Sequence, residues 1–335
     1  MATRFEVLLH GENEVSLRAA AEEALDEIER LDAQLSLYNP ASEVSHINAR
    51  AAHNAVRVEP TLFQLIRHAK ELSGETKGAF DITVGPLVRC WGFMRGSGKT
   101  PHPADVAAAR EKVGTELLEL DERDFTIRFA RDDVMIDLGS IGKGFALERA
   151  ARLLREAGVA SAVLHGGTST VCAIGTPPDA AAWNVAVPHP DFAGQTISSG
   201  GVPAADGARE SGGILAVVPL KDEALSVSAV WGKAFEADGR VYGHVIDPRK
   251  GEPVEGAVLA AVVLPSATES DALSTALLVE GKEGLGPIIG LRASMRALVV
   301  TRGEKHGQFD VGSRGIPLAE VHPGRFPKGQ PIRQK

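Results

Sequence analysis

Three glycines, Gly139, Gly142 and Gly144, fall within six residues of the run Asp137-Leu138-Gly139-Ser140-Ile141-Gly142-Lys143-Gly144. A short apolar stretch, Val134 to Ile136, leads into this run. Phe145 to Ala157 leads out of it with helical spacing, and Gly158 stops the helix. The pattern predicts a strand, a tight turn and a helix, the turn being bare enough for its backbone to approach a ligand closely. Lys143 invites comparison with a phosphate loop, but the G-x-x-x-x-G-K-[ST] pattern fails. Asp137 holds the first glycine position and Gly144 follows the lysine, which argues against a nucleoside triphosphatase. The plainer alternative is a strand-to-helix turn with a solvated lysine.

Elsewhere helical and strand periods are mixed. Leu17, Ala21, Ala24, Leu25, Ile28, Leu31 and Leu35 recur at three- and four-residue steps, predicting an amphipathic helix from Val15 to Leu35. A second helix is expected from Pro60 to Gly74, and Pro103 opens a third. Strands are expected at Thr3–His10, 134–136, 162–164, 183–187, 215–218, 259–264 and 297–301. This order lacks the regular βαβ alternation of a doubly wound sheet, so the expected class is α+β. Residues 1–320 are expected to form one domain. Gly, Ala, Ser, Pro and Asp dominate near 190–213, a mobile insertion, and 321–335 is expected to be a disordered tail.

Net charge of −8 argues against a nucleic-acid partner, which requires a concentrated basic face. Cys90 and Cys172 share no metal-knuckle or Cys-x-x-Cys spacing, and free thiols suit a reducing compartment. No apolar run is long enough to span a bilayer and no secretory signal is evident, so the expected location is cytoplasmic.

Two further segments carry candidate chemistry. In Asp271-Ala272-Leu273-Ser274-Thr275, helical spacing places a carboxylate and a hydroxyl on one face, a pair suited to a hard divalent cation. The alternative is helix capping by Ser270 or Asp271. In His244-Val245-Ile246-Asp247-Pro248-Arg249, His244 and Asp247 can form an oriented acid–base pair, and Arg249 can offset pyrophosphate charge. A plain turn ending at Gly251 is the alternative there.

Taken in order with Gly78-Ala79-Phe80-Asp81-Ile82-Thr83-Val84-Gly85-Pro86-Leu87, these segments resemble the ApbE-like family of FAD:protein FMN transferases across residues 1 to 281. The resemblance implies antiparallel sheets flanked by helices, with a flavin cleft between two lobes. It implies FAD as substrate, Mg²⁺ as cofactor and an acceptor protein whose Ser or Thr hydroxyl receives FMN, with AMP released. It also implies FAD contacts from Met1, Tyr38, Ala79, Phe80, Asp81, Asp137, Lys143 and Val245. The implied metal ligands are Asp271, Thr275 and the Ser140 carbonyl, and the catalytic candidates are His244 and Asp247. Phe80 and Trp91 read equally as core aromatics.

The chain departs from the family pattern at three places. Gly166-Gly167-Thr168 replaces Gly-Gly-Asp, and Ser228-Ala229-Val230-Trp231 replaces Ser-Gly-Asp-Tyr. Asp247-Pro248-Arg249-Lys250-Gly251 replaces Asp-Pro-Arg-Thr-Gly. Losing carboxylates alters proton and metal handling. Two other readings therefore stand beside the transferase: an FAD-binding protein with weak or lost transfer, and an FAD pyrophosphatase yielding FMN and AMP.

Overall fold

A computed structural model describes residues 3–96, 98–190, 213–232, 234–237, 239–305, 308–319 and 333–334. Met1, nearly all of the expected insertion and most of the expected tail lie outside the described residues. The chain opens with β1 (Phe5–His10), α1 (Glu14–Leu35), α2 (Glu43–Arg50), β2 (Val56–Arg57), α3 (Pro60–Glu75), α4 (Gly85–Cys90), α5 (Pro103–Arg110), β3 (Leu118–Asp121) and β4 (Thr126–Phe129). Next come α6 (Gly142–Glu156), β5 (Ser161–Gly166), β6 (Thr170–Ile174), β7 (Trp183–Pro188), β8 (Ile214–Leu220), β9 (Ala224–Ala229), β10 (Ala234–Ala237), β11 (Arg240–Gly243), β12 (Ile246–Asp247) and β13 (Glu252–Pro253). The described chain closes with β14 (Ala257–Leu264), α7 (Ala267–Glu280), α8 (Leu285–Ile289), β15 (Arg296–Arg302), β16 (Phe309–Arg314) and β17 (Arg333–Gln334).

The main sheet has the order β1-β5-β6-β9-β14-β15-β16-β17. Its pairs are antiparallel except β16 with β17. The α+β class expected from the sequence is the one observed. All eight residues of β14 are buried, and their alternation sorts them between two cores. Ala260, Val262 and Leu264 enter the larger core, with residues of α1, α3, α6 and α7. Leu259, Ala261 and Val263 enter a second core, closed by Val187 of β7 and by Leu215 and Val218 of β8. A strand covered on both faces reads as a continuous apolar run, which is why β14 was visible in the sequence.

The expected strand at 134–136 is instead an extended segment with one bridge, Met135 to Val84. The Asn48 amide takes the place of a neighbouring strand. Its Nδ2 donates to Ile136 O at 2.9 Å and its Oδ1 accepts from Ile136 N–H at 2.8 Å. α3 runs past Gly74, its expected terminator, to Glu75, and the left-handed turn comes at Lys77 and Gly78.

α7 carries small and apolar residues on every side and is buried nearly all round. Its start is fixed by Ser266, whose hydroxyl accepts from Glu269 N–H at 3.2 Å. That start rules out the expected alternative of capping by Ser270 or Asp271, which lie inside the helix. From α6, Glu148 accepts from the Ser266 hydroxyl at 2.6 Å and Thr268 N–H at 2.9 Å. On the other side, Glu269 accepts from Arg292 at 2.9 and 2.8 Å and faces His68 of α3 at 3.5 Å.

Hydrogen bonding to His68, then to Arg292, holds the Glu269 carboxyl down at about 2, from an ordinary 4.5. A depressed carboxylate contributes stability above its unfolded value and loses it as pH falls through its folded value. Thermal stability should therefore fall between about pH 4.5 and about pH 2. Glu269→Gln should flatten that fall and cost about 1–3 kcal/mol at pH 7. Melting curves of both proteins across this range check it; parallel pH profiles would contradict it.

Candidate active site

The turn into α6 is built by its own side chains. Asp137 N–H donates to Ile82 O at 2.7 Å, laying this segment beside the Asp81-Ile82-Thr83 strip. Asp137 Oδ1 then accepts from Gly139 N–H at 2.9 Å, a local turn that aims the chain into the helix. Lys143 folds back, its Nζ 3.2 Å from Gly139 O and 3.9 Å from Asp271 Oδ1, so it is not a solvated lysine. Tyr38, 61% exposed, lies close enough to Asp137 for that carboxylate to help raise its phenol, behind the larger effect of burial.

One residue on, Gly144 N–H donates to Asp271 Oδ2 at 2.9 Å. A Cβ at position 144 would overlap the Ala267 carbonyl oxygen and stand 2.7 Å from Asp271 Cβ, so only glycine lets α6 and α7 meet here. Asp271 is 4% exposed, not the solvated ligand its residue type suggests. With Oδ2 tied to the amide, Oδ1 faces Lys143. Thr275 follows at i+4, its Oγ1 3.1 Å from Ser228 Oγ of β9, and Ser228 Oγ is also 2.8 Å from Ser274 Oγ. The expected ligands Asp271 and Thr275 thus share one locus with Lys143, close to the Asp137–Ser140 turn.

A second group of candidates gathers around Asp247. This 3%-exposed carboxylate accepts three hydrogen bonds from Arg249, from N–H, Nε and Nη2, each at 3.0 Å. Arg249 Nη1 pairs with Glu280 at the end of α7. The guanidinium is held charged chiefly by its bond to Asp247. Arg249 therefore braces the turn. His244 follows directly on β11, half-buried, and Val245 packs partly against the larger core. Phe235 and Tyr242 of the β10–β11 hairpin stack at 5.2 Å, and Tyr242 meets Trp91 at 5.4 Å. Trp91 is core, donating Nε1–H to Gly251 O at 2.8 Å.

Beside the Asp247 turn lies a cavity of about 350 Å³, lined by Ser73, Lys77, Asp81, Glu116, Pro248 and Arg249 among others. Burial pushes the Asp81 carboxyl up, opposed by bonds at 2.6 and 2.7 Å from the Thr83 hydroxyl and N–H. Ala79 and Phe80 point away from any solvent. The Phe80 ring is 1% exposed in the larger core, so any ligand contact there is through backbone.

Among the departures from the family pattern, Thr168 is exposed in the β5–β6 turn. Val230 packs against both apolar cores and Trp231 against the second. The position where the family pattern has an acid is built here as an apolar contact. Asn48, Glu148 and Ser228 were not singled out from the sequence. Asn48 acts across 88 positions and carries no local signal.

The sequence profile of the ApbE family matches residues 1–298. The chain belongs to the ApbE family. It is 28% identical over 314 residues to an FAD:protein FMN transferase of Klebsiella pneumoniae, spanning 91% of this chain and 83% of that one. It is likewise 28% identical over 275 residues to one of Salmonella typhimurium, spanning 81% and 73%. Among solved structures, the apo flavinyl transferase ApbE of Pseudomonas stutzeri superposes with a TM-score of 0.73 at 28% identity, covering 93% of this chain and 95% of that one. The Vibrio cholerae flavin transferase ApbE superposes at 0.75, with 24% identity and 94% of each chain covered, a likeness of fold.

For this ApbE-family chain the α6–α7 contact leaves no room for a single added methyl group. Gly144→Ala should force the helices apart and lower stability by at least about 2 kcal/mol. Denaturant melts measure this; an unchanged midpoint would show that the helices have room.

Proposed function

We propose that the protein is an FAD:protein FMN transferase dependent on a divalent cation. The observation that carries the reading is the locus of Asp271 and Thr275. An oxygen of a buried carboxylate and a hydroxyl one turn later converge beside a lysine and a glycine-rich helix start. Oxygen donors of this kind suit Mg²⁺, which takes few protein ligands and completes its shell with water and phosphate. Among the described residues no group of three His, Cys, Asp or Glu side chains converges, and this set has only one carboxylate. Asp271, Thr275 and the Ser140 carbonyl would hold the ion, which would supply charge neutralisation on the FAD pyrophosphate.

The chain's own groups account for the remainder. Lys143 and the N-terminal amides of α6 favour phosphate charge. The cavity at Asp81 suits the adenine half in size and polarity. The acceptor's Ser or Thr oxygen forms the new phosphoester bond to FMN, and the phosphoanhydride breaks with AMP carrying off the bridging oxygen. His244 is the favoured acceptor of the hydroxyl proton, an imidazole being the side chain suited to proton transfer near neutral pH. Asp247 then serves by shaping the turn. Among the described residues no helix is long and apolar enough to cross a membrane.

Incubation with FAD, MgCl₂ and a candidate acceptor protein should release one AMP per acceptor that gains the mass of FMN. Asp271→Asn keeps an acceptor for Gly144 N–H and removes the charge, so it should fold and lose at least about 100-fold in rate, near 3 kcal/mol of barrier. AMP release without an acceptor adduct would favour the pyrophosphatase. FAD binding with neither product would favour a binding protein.

A further inference from the structure

Four oxygens run in a line between β9 and α7. Ser274 Oγ–H donates to the backbone carbonyl of Asp271 at 3.0 Å. Ser228 Oγ lies 2.8 Å from Ser274 Oγ and 3.1 Å from Thr275 Oγ1. A contact between two hydroxyls is silent about which one donates, since each has one proton and two lone pairs. The carbonyl at the end of the line decides it. A carbonyl only accepts, and Ser274 makes the shorter of the two hydroxyl contacts to it, so with the Ser274 proton placed there Ser274 accepts from Ser228. The Ser228 proton being spent there, Ser228 must accept from Thr275. Thr275 also has the Asp271 carbonyl at 3.4 Å, an oxygen able to accept from both hydroxyls, but the Ser228 contact at 3.1 Å is the shorter one, and donating to both would need a second proton.

The direction of this line determines what Thr275 offers on its other side. With its only proton turned towards β9, Oγ1 presents lone pairs alone. A hydroxyl proton pointing at a cation would repel it. We infer that Ser228 is a positioning residue: its hydroxyl takes the Thr275 proton and thereby presents Thr275 Oγ1 as a lone-pair donor for a divalent cation beside Asp271. The inference rests on the reading that Asp271 and Thr275 hold that cation. Ser228 suits the task because its place is set by the sheet, paired with Ala260 of the fully buried β14. Ser274 is wholly buried, so water does not compete for the line at its anchored end. Asp271 thus serves twice, with its side chain bound to α6 and its carbonyl setting the polarity of the hydroxyls.

The test uses Mn²⁺ titrated into the full-length protein saturated with FAD and without acceptor, free Mn²⁺ being read by its electron paramagnetic resonance signal. Ser228→Ala should weaken Mn²⁺ binding by about 10-fold, the usual effect of losing an outer partner of a metal ligand. FAD affinity without metal and the melting temperature should stay at wild-type values, which a merely structural role would not leave in place. Ser228→Thr keeps the hydroxyl and should restore Mn²⁺ affinity. Should Ser228→Ala not fold, Ser274→Ala removes the anchor of the line and should weaken Mn²⁺ in the same sense. Wild-type Mn²⁺ affinity in Ser228→Ala, or in Ser274→Ala where that variant stands in, would overturn the role of Ser228 while leaving the transferase reading intact. Failure of the wild-type protein itself to bind Mn²⁺ with FAD would overturn both.

Discussion

A hydrogen bond from the backbone Gly144 N–H of α6 to Asp271 Oδ2 of α7 fixes the carboxylate on which the candidate site is built. It needs a carboxylate on α7 and the lack of a side chain on α6. With any other residue at 144, the Ala267 carbonyl and Asp271 Cβ would have to withdraw, and the carboxylate would lose its fixed orientation. The contact also settles which Asp271 oxygen is free. An amide on Oδ2 leaves Oδ1 towards Lys143, so the charge that a bound phosphate and cation would meet is placed before either arrives.

The rest of the fold holds α7 still. Glu148 binds its first turn from α6, Glu269 ties it to Arg292 and His68, and Glu280 joins its end to Arg249 and so to the Asp247 turn. Each anchor comes from a different element, and each is an ion pair or a charge-assisted hydrogen bond at the rim of an apolar core. Such bonds are directional, whereas apolar burial alone would leave the helix free to slide or rotate. The price is a site whose frame depends on titratable groups.

Periodicity made much of this frame legible in advance. The 3.6-residue spacing of α1 and the unbroken apolar run of β14 reflect elements whose burial is uniform along their length. The i, i+4 pairing of Asp271 and Thr275 also held, because both lie well inside one helix. Much of what stayed hidden depends on contacts distant in sequence. β9 reads Ala-Leu-Ser-Val-Ser-Ala, too polar to announce a central strand, yet Ser226 is buried against Thr170 and the half-buried Ser228 bonds to α7. Asn48 stands in for a strand neighbour of Ile136, a role no local pattern encodes. Type and spacing make Asp247 one half of a candidate acid–base pair, whereas its three bonds from Arg249, only two residues away, depend on the shape of the turn rather than on any periodicity.

Phosphate, cation and carboxylate are expected to meet at the α6–α7 junction. Diffraction from crystals soaked with FAD and Mn²⁺, recorded at the manganese absorption edge, locates the metal without reference to activity. The predicted result is an anomalous peak bounded by Asp271 Oδ1 and Thr275 Oγ1, with the FAD pyrophosphate beside Lys143. A peak at another carboxylate, or FAD bound with its pyrophosphate away from α6, would contradict it.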